Sequence, residues 1–237
     1  MKMMASEIII TCEHGGNQIP EYLSTIFKDN AELLESHRGW DPGAIQLALK
    51  LSTELNCLSF SETISRLVID QNRSLTNKQV FSRIAQNLTV EQKNHIISVI
   101  YKPYRNAIIA CIEQLLNKQL RVCHFSIHSF TPVLNGVIRN ADIGFLYDPR
   151  RKIEKDLCSI MIKKLESEIT GIRVRRNYPY KGTSDGLTAA LRKRFGADCY
   201  AGIEIEVNQL QVVSATELWT AIMEKLPGCI DYGVGKV

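Results

Sequence analysis

Glu7-Ile8-Ile9-Ile10-Thr11-Cys12 is a short, β-branched run that breaks into the polar, glycine-bearing segment Glu13-His14-Gly15-Gly16. An unbroken apolar run of this length reads as a buried strand, and the glycines after it let the backbone turn sharply. A strand therefore feeds a loop here, with a histidine where the strand ends.

The same arrangement recurs further along the chain. Ser65-Arg66-Leu67-Val68-Ile69-Asp70 reads as a strand ending in Gln71-Asn72-Arg73-Ser74, and Val122-Cys123-His124-Phe125-Ser126-Ile127 as one ending in His128-Ser129-Phe130. Ile143-Gly144-Phe145-Leu146-Tyr147 is strand-like, and Arg173-Val174-Arg175-Arg176 leads into the loop Asn177-Tyr178-Pro179-Tyr180-Lys181-Gly182. Gly202-Ile203-Glu204-Ile205-Glu206-Val207 is the last strong strand. Helical patterns lie between them, over residues 20–34, 44–55, 89–117, 153–168 and 215–225. The helix at 44–55 is expected to start from Asp41 as N-cap with Pro42 at its first position, and the one at 89–117 to break or kink near Pro103. Short apolar strands alternating with helices predict an α/β fold, a largely parallel or mixed sheet covered by helices on both faces. With no linker or repeat, residues 1–237 read as one domain.

Composition narrows the function. The 237 residues carry a formal charge of +4, too weak a balance to argue for nucleic acid. The basic runs Arg150-Arg151-Lys152 and Arg192-Lys193-Arg194 read as solvated helix faces. No apolar run approaches the ~20 residues of a membrane span, and the first residues lack the pattern of a signal peptide. The seven cysteines include no C-x-x-C pair, and several sit in apolar runs, so buried free thiols in a reducing compartment are expected. Together these point to a cytoplasmic protein.

The chemistry gathers at strand ends: Glu13-His14, Asp70-x-Asn72-Arg73, His128 and Glu204-x-Glu206. In open α/β sheets ligands bind beyond the carboxyl ends of strands, so groups distant in sequence can meet there. Two histidines and one carboxylate form the usual open hydrolytic zinc site, and a further carboxylate is needed to accept a proton from water. Asp41, Glu13, Glu204 and Glu206 are all available for these parts. There is no H-E-x-x-H helix. Arg73, beside Asn72, suits a carboxylate clamp; Arg139 suits polarising a carbonyl or holding a second carboxylate. His124 shares the strand face of His128 and reads either as a core histidine or as a supporting one. His37 is read as a surface residue or as one that orients the Asp41 loop, and His95 as a structural one.

Taken together, these segments resemble the N-formylglutamate amidohydrolase (N-formylglutamate deformylase) family. The resemblance rests on Cys12-Glu13-His14-Gly15-Gly16-Asn17-x-Ile19-Pro20, His37-Arg38-Gly39-Trp40-Asp41-Pro42-Gly43-Ala44, Ser65-Arg66-Leu67-Val68-x-Asp70-x-Asn72-Arg73 and Ser126-Ile127-His128-Ser129-Phe130-Thr131-Pro132. It continues through residues 139–147, Asn177-Tyr178-Pro179-Tyr180-Lys181-Gly182 and Gly202-Ile203-Glu204-Ile205-Glu206-Val207-Asn208. It implies the phosphorylase/hydrolase-like fold of zinc carboxypeptidases and aspartoacylase, and hydrolysis of a small, anionic N-acyl amino acid such as N-formyl-L-glutamate. By motif position it implies one zinc ion on His14, Asp41 and His128, with Glu13 as the alternative carboxylate. It makes Glu206 the general base, with Glu204 as the alternative, and Asn72 and Arg73 the holders of a substrate carboxylate. A deacylase for another N-acyl group and a binding protein that kept the fold without the chemistry are the competing readings.

Overall fold

The computed structural model describes residues 5–237. Strands β1 (Ser6–Cys12), β2 (Leu58–Ser61), β3 (Arg121–Phe130), β6 (Ile143–Leu146), β7 (Val174–Arg176) and β8 (Tyr200–Asn208) form one sheet in the order β2-β1-β3-β8-β6-β7. The two-residue strands β4 (Val133–Leu134) and β5 (Val137–Ile138) form a separate hairpin. β2, β1, β3 and β8 run parallel, whereas β6 is antiparallel to β8 and parallel to β7. The sheet is thus mixed and mostly parallel, the mixed alternative that the family resemblance implies.

Side chains alternate across a strand, so each strand contributes to both faces. Ile10, Phe125, Ile127, Ile203 and Ile205 belong to a core shared with the helices Ala44–Glu54, Lys152–Glu168 and Glu217–Val234. Ile9, Val122 and Tyr200 belong to a second core with the helices Lys102–Asn117 and Leu187–Arg194. Each fully buried aliphatic side chain contributes roughly 1.5–3 kcal/mol, which makes this double-sided burial the main support of the sheet. The alternation also puts Thr11, His124, Ser126, His128, Glu204 and Glu206 on a common face. Parallel register sets Thr11 beside Ser126, Ser126 beside Glu204, and His128 beside Glu206.

Several expectations are corrected. Ser65 to Asp70 is not a strand: among the described residues its neighbourhood makes only the isolated bridge Gln18–Ile64, and the chain turns, with Val68 N donating to Ser65 O at 2.9 Å. Leu67, Val68 and Ile69 instead fill a satellite core with Leu23, Phe27, Phe81 and Ile96. A short apolar run is ambiguous by periodicity, and here tertiary packing decides it. Asp41 is not an N-cap. The helix starts at Ala44 behind Gly43, which has φ +83° and makes no side-chain cap, so Pro42 lies outside it. The helical pattern at 89–117 does run from Val90 to Asn117, and its α-helical course is interrupted just before Pro103, as expected, by the π-helical segment Ile97–Tyr101. Residues 20–34 form only short turns of helix, and the closing helix extends through Pro227 to Val234.

The basic runs are also more than solvated faces. Arg192 is buried and paired with Glu154 at 2.9 Å, and Arg151 donates to the carbonyls of Tyr200, Arg192 and Phe195. All seven cysteines are free. Among the described residues no helix is long and apolar enough to cross a membrane. The reading of a missing leader falls on residues 1–4, outside the described residues.

Candidate metal centre and active site

Three segments carry the donors to one place. His14 leaves β1 on the loop before Gly15, and its carbonyl accepts the Asp41 N–H at 3.0 Å, tying the Asp41 loop to the strand end. His128 lies near the carboxyl end of β3. The donor atoms of His14, Asp41 and His128 all lie within 4.8 Å of one another, and all three side chains are buried. Asp41 Oδ2 is 3.2 Å from His14 Nδ1 and 2.8 Å from His128 Nδ1, so one nitrogen of each imidazole faces the same carboxylate oxygen.

The remaining imidazole nitrogens face outward onto further carboxylates. His14 Nε2 is 2.7 Å from Asp70 Oδ1, and His128 Nε2 is 2.9 Å from Glu13 Oε2. A carboxylate behind a histidine fixes its tautomer and ring orientation, the usual support of a metal-bound imidazole. Glu13 is itself held by Ser126 Oγ at 2.5 Å and Tyr104 Oη at 3.1 Å. Arg66 reaches across the group, donating to Asp41 Oδ1 at 3.3 Å and Asp70 Oδ2 at 2.8 Å.

Charge bears on what this cluster can hold. Burial opposes ionisation of Glu13, but hydrogen bonds from His128 and Ser126 outweigh it and bring the carboxyl down to about 2. Burial likewise opposes ionisation of Asp41 and Asp70. The imidazoles and the Arg66 guanidinium prevail and hold both well below the ordinary carboxylate range. For His128 burial favours the neutral ring, yet hydrogen bonds to Asp41 and Glu13 favour the charged one and push its pKa up. With both rings neutral, as metal ligands must be, the carboxylates of Glu13, Asp41 and Asp70 outnumber the Arg66 guanidinium and the Arg73 guanidinium 3.9 Å from Asp70, leaving a deficit of positive charge. One divalent cation makes up that deficit, and two imidazoles with a carboxylate are a donor set that zinc accepts. The residues present fit such an ion.

Glu206 occupies a different environment. It is buried in the same pocket, and its Oε2 has no hydrogen-bond partner in the protein. Burial, reinforced by the charges of Asp41 and Glu204 and opposed by His128 and Arg66, pushes its pKa up to about 8. Glu204 instead accepts a hydrogen bond from Thr188 Oγ1 at 2.5 Å.

The pocket above these groups has a volume of about 200 Å³ and is lined by His14, Asp41, His128, Glu206, Arg66, Asn72 and Arg73 among others. That suits a small molecule rather than a drug-sized one, for which about 300–1,000 Å³ is usual. Asn72 is oriented by the Leu187 N–H, which donates to its Oδ1 at 2.6 Å and leaves Nδ2 on the side of His128, 3.3 Å from Nε2. Arg73 reaches the pocket with only a 3.9 Å approach to Asp70.

Arg139 is placed differently from the expectation. Its guanidinium donates to Tyr180 Oη at 3.1 Å and stacks over the Tyr180 and Phe130 rings, and it is not among the residues that line the pocket. His37 is exposed, as expected of a surface residue, and it also lines the pocket. His124 sits below the site between Thr11 Oγ1 at 2.8 Å and Tyr200 Oη at 2.7 Å; burial brings its pKa down to about 4, so it is a neutral core histidine. Arg66, which spans Asp41 and Asp70, and the place of Asp70 behind His14 are not legible in the sequence pattern. The four-residue spacing of Arg66 and Asp70 was the available signal, but it becomes informative only once Asp41 is beside both.

A family model described as N-formylglutamate amidohydrolase matches residues 6–212. A gene product of Agrobacterium tumefaciens of known crystal structure is 27% identical, with a TM-score of 0.83, over 98% of this chain and 92% of that one. An N-formylglutamate amidohydrolase from Ralstonia eutropha JMP134 shares the fold at a TM-score of 0.74 and 17% identity, over 100% of this chain and 95% of that one. No curated protein matches the sequence.

Proposed function

Since the chain belongs to the N-formylglutamate amidohydrolase family, we propose that it is a zinc-dependent amidohydrolase whose substrate is N-formyl-L-glutamate, with the whole chain acting as one catalytic domain. One observation carries the proposal: the unpartnered, buried carboxylate oxygen of Glu206 shares a pocket with the His14–Asp41–His128 cluster.

His14, Asp41 and His128 would hold the ion, with Asp70 and Glu13 fixing the two rings from behind. When bound, zinc polarises a carbonyl and acidifies water. Glu206 is the proton carrier. Its raised pKa brings it into the range where a carboxylate can take a proton from water and later release it. As water adds to the amide carbon, Glu206 accepts the water's proton. As the C–N bond breaks, it returns that proton to the leaving nitrogen, giving formate and the free amino acid.

Arg73 faces the pocket without a close ion pair and is assigned a substrate carboxylate, while Asn72 Nδ2 supplies a neutral donor beside it. Arg66, committed to Asp41 and Asp70, holds the carboxylates in place rather than binding substrate. The decisive experiment strips the protein with chelator, restores zinc, and follows formate release from N-formyl-L-glutamate beside the N-acetyl and N-succinyl analogues. Turnover of the formyl substrate only in the zinc-loaded sample is expected. A preference for a larger acyl group would overturn the substrate, and full activity without metal would overturn the mechanism.

A further inference from the structure

The Tyr178–Gly182 loop brings a lysine to the pocket on an unusually constrained backbone. At one end, Asn177 has φ +51° and its Oδ1 accepts the N–H groups of Tyr147 and Gly182, both at 3.0 Å. The loop lies so close to β6 that a Cβ on Gly144 would meet Tyr178 O at 1.9 Å, and a Cβ on Gly182 would meet Tyr147 N at 2.1 Å. Buried Arg192 closes the far end, donating to Gly182 O at 2.5 Å while paired with Glu154. Lys181 lies between these clamps and lines the pocket, and among the described residues its ammonium makes no ion pair. Of the other cations at the pocket, Arg66 is spent on Asp41 and Asp70, and Arg73 is assigned the first carboxylate. Arg139, which the sequence offered for a second carboxylate, is held on Tyr180.

We propose that Lys181 is the specificity-determining residue for a second substrate carboxylate, so that the pocket selects N-acyl amino acids with an anionic side chain over neutral ones of the same shape. The inference rests on the amidohydrolase reading and names the feature of the substrate that the pocket recognises. A lysine suits this part because its ammonium is a compact charge that needs no planar partner, and the pinned backbone limits the freedom lost on binding.

The test compares zinc-loaded wild type, Lys181→Met and Lys181→Arg on N-formyl-L-glutamate and its neutral isostere N-formyl-L-glutamine. Wild type is expected to favour the glutamate substrate in kcat/KM. Lys181→Met should shrink that preference ratio roughly 5- to 30-fold, mainly through KM, the range between an exposed ion pair and a charged hydrogen bond. Lys181→Arg should restore most of it. Equal losses on both substrates, or an unchanged ratio, overturn the proposal. If wild type turns over neither amide, the amidohydrolase reading fails and titration calorimetry with L-glutamate and L-glutamine decides the lysine by itself. A glutamate affinity that drops in Lys181→Met while glutamine's holds supports it, and equal wild-type affinities or an unaffected glutamate affinity overturn it.

Discussion

Glu206→Gln separates two consequences of one carboxylate, its work as proton carrier and its cost as a buried charge. The folded protein holds Glu206 at about 8, against an ordinary value of 4.5, chiefly through burial. For a carboxyl raised in this way the stability of the neutral form is complete below about pH 4.5. It is lost as the pH climbs to and through 8, because the unfolded chain ionises first. At about 1.36 kcal/mol per unit, the cost accumulated by pH 7 is on the order of 3 kcal/mol. Glutamine carries no such cost. Metal-free Glu206→Gln should therefore be about 3 kcal/mol more stable than metal-free wild type at pH 7, the gap closing toward pH 4.5. The same variant, loaded with zinc, should lose roughly 10²–10⁴ in kcat while keeping its metal, since Glu206 is assigned no place among the ligands. Urea melts of chelator-treated protein at the two pH values measure the first effect; elemental analysis and formate release measure the second. A glutamine variant no more stable at pH 7 refutes the electrostatic reasoning. One that has lost its zinc, or that turns over within tenfold of wild type, refutes the assignment of the base.

Further consequences can be checked independently. Glu13→Gln removes the carboxylate behind His128 and should weaken zinc affinity by about 10- to 100-fold with smaller effects on kcat, read by chelator competition. Because Glu13 titrates at about 2 when folded, it contributes stability above about 4.5 that disappears as pH falls toward 2; the metal-free glutamine variant should show a shallower acid limb of stability over that window. In the zinc-loaded enzyme kcat/KM should fall about tenfold per unit as pH drops below the pKa of Glu206, with a midpoint under 8 because a nearby cation draws the carboxyl down; a profile flat down to pH 4 would remove Glu206 from the reaction. Gly144→Ala puts a methyl group 1.9 Å from Tyr178 O, so the loop must move: about 1–3 kcal/mol of destabilisation and a raised KM for N-formyl-L-glutamate are expected, whereas an unchanged KM would show the loop is free to shift.

Much of the fold was legible in the chain. β1, β3 and β8 announce themselves through their apolar, β-branched residues, and the polar side chains set among them, Thr11, Ser126, His128, Glu204 and Glu206, stand out against that background. His14, Asp41, His128 and Glu206 each stand out in sequence motifs, though nothing in their spacing shows that they meet. Ser65 to Asp70 misled for the converse reason. A short apolar run serves a strand and a satellite core equally well, and only its packing against Leu23, Phe27 and Phe81 decides between them.

The division follows the range of the forces involved. Periodicity and turn chemistry are local, so they already settle an α/β sheet with chemically competent residues near its strand ends. Hydrogen bonding and charge act between residues that only the folded chain brings together. The tertiary structure alone decided that Asp41 serves two imidazoles instead of a helix end, and that Arg66 spans Asp41 and Asp70. It likewise decided that Arg139 rests on Tyr180 while Lys181, its backbone clamped by residues far off in sequence, faces the pocket.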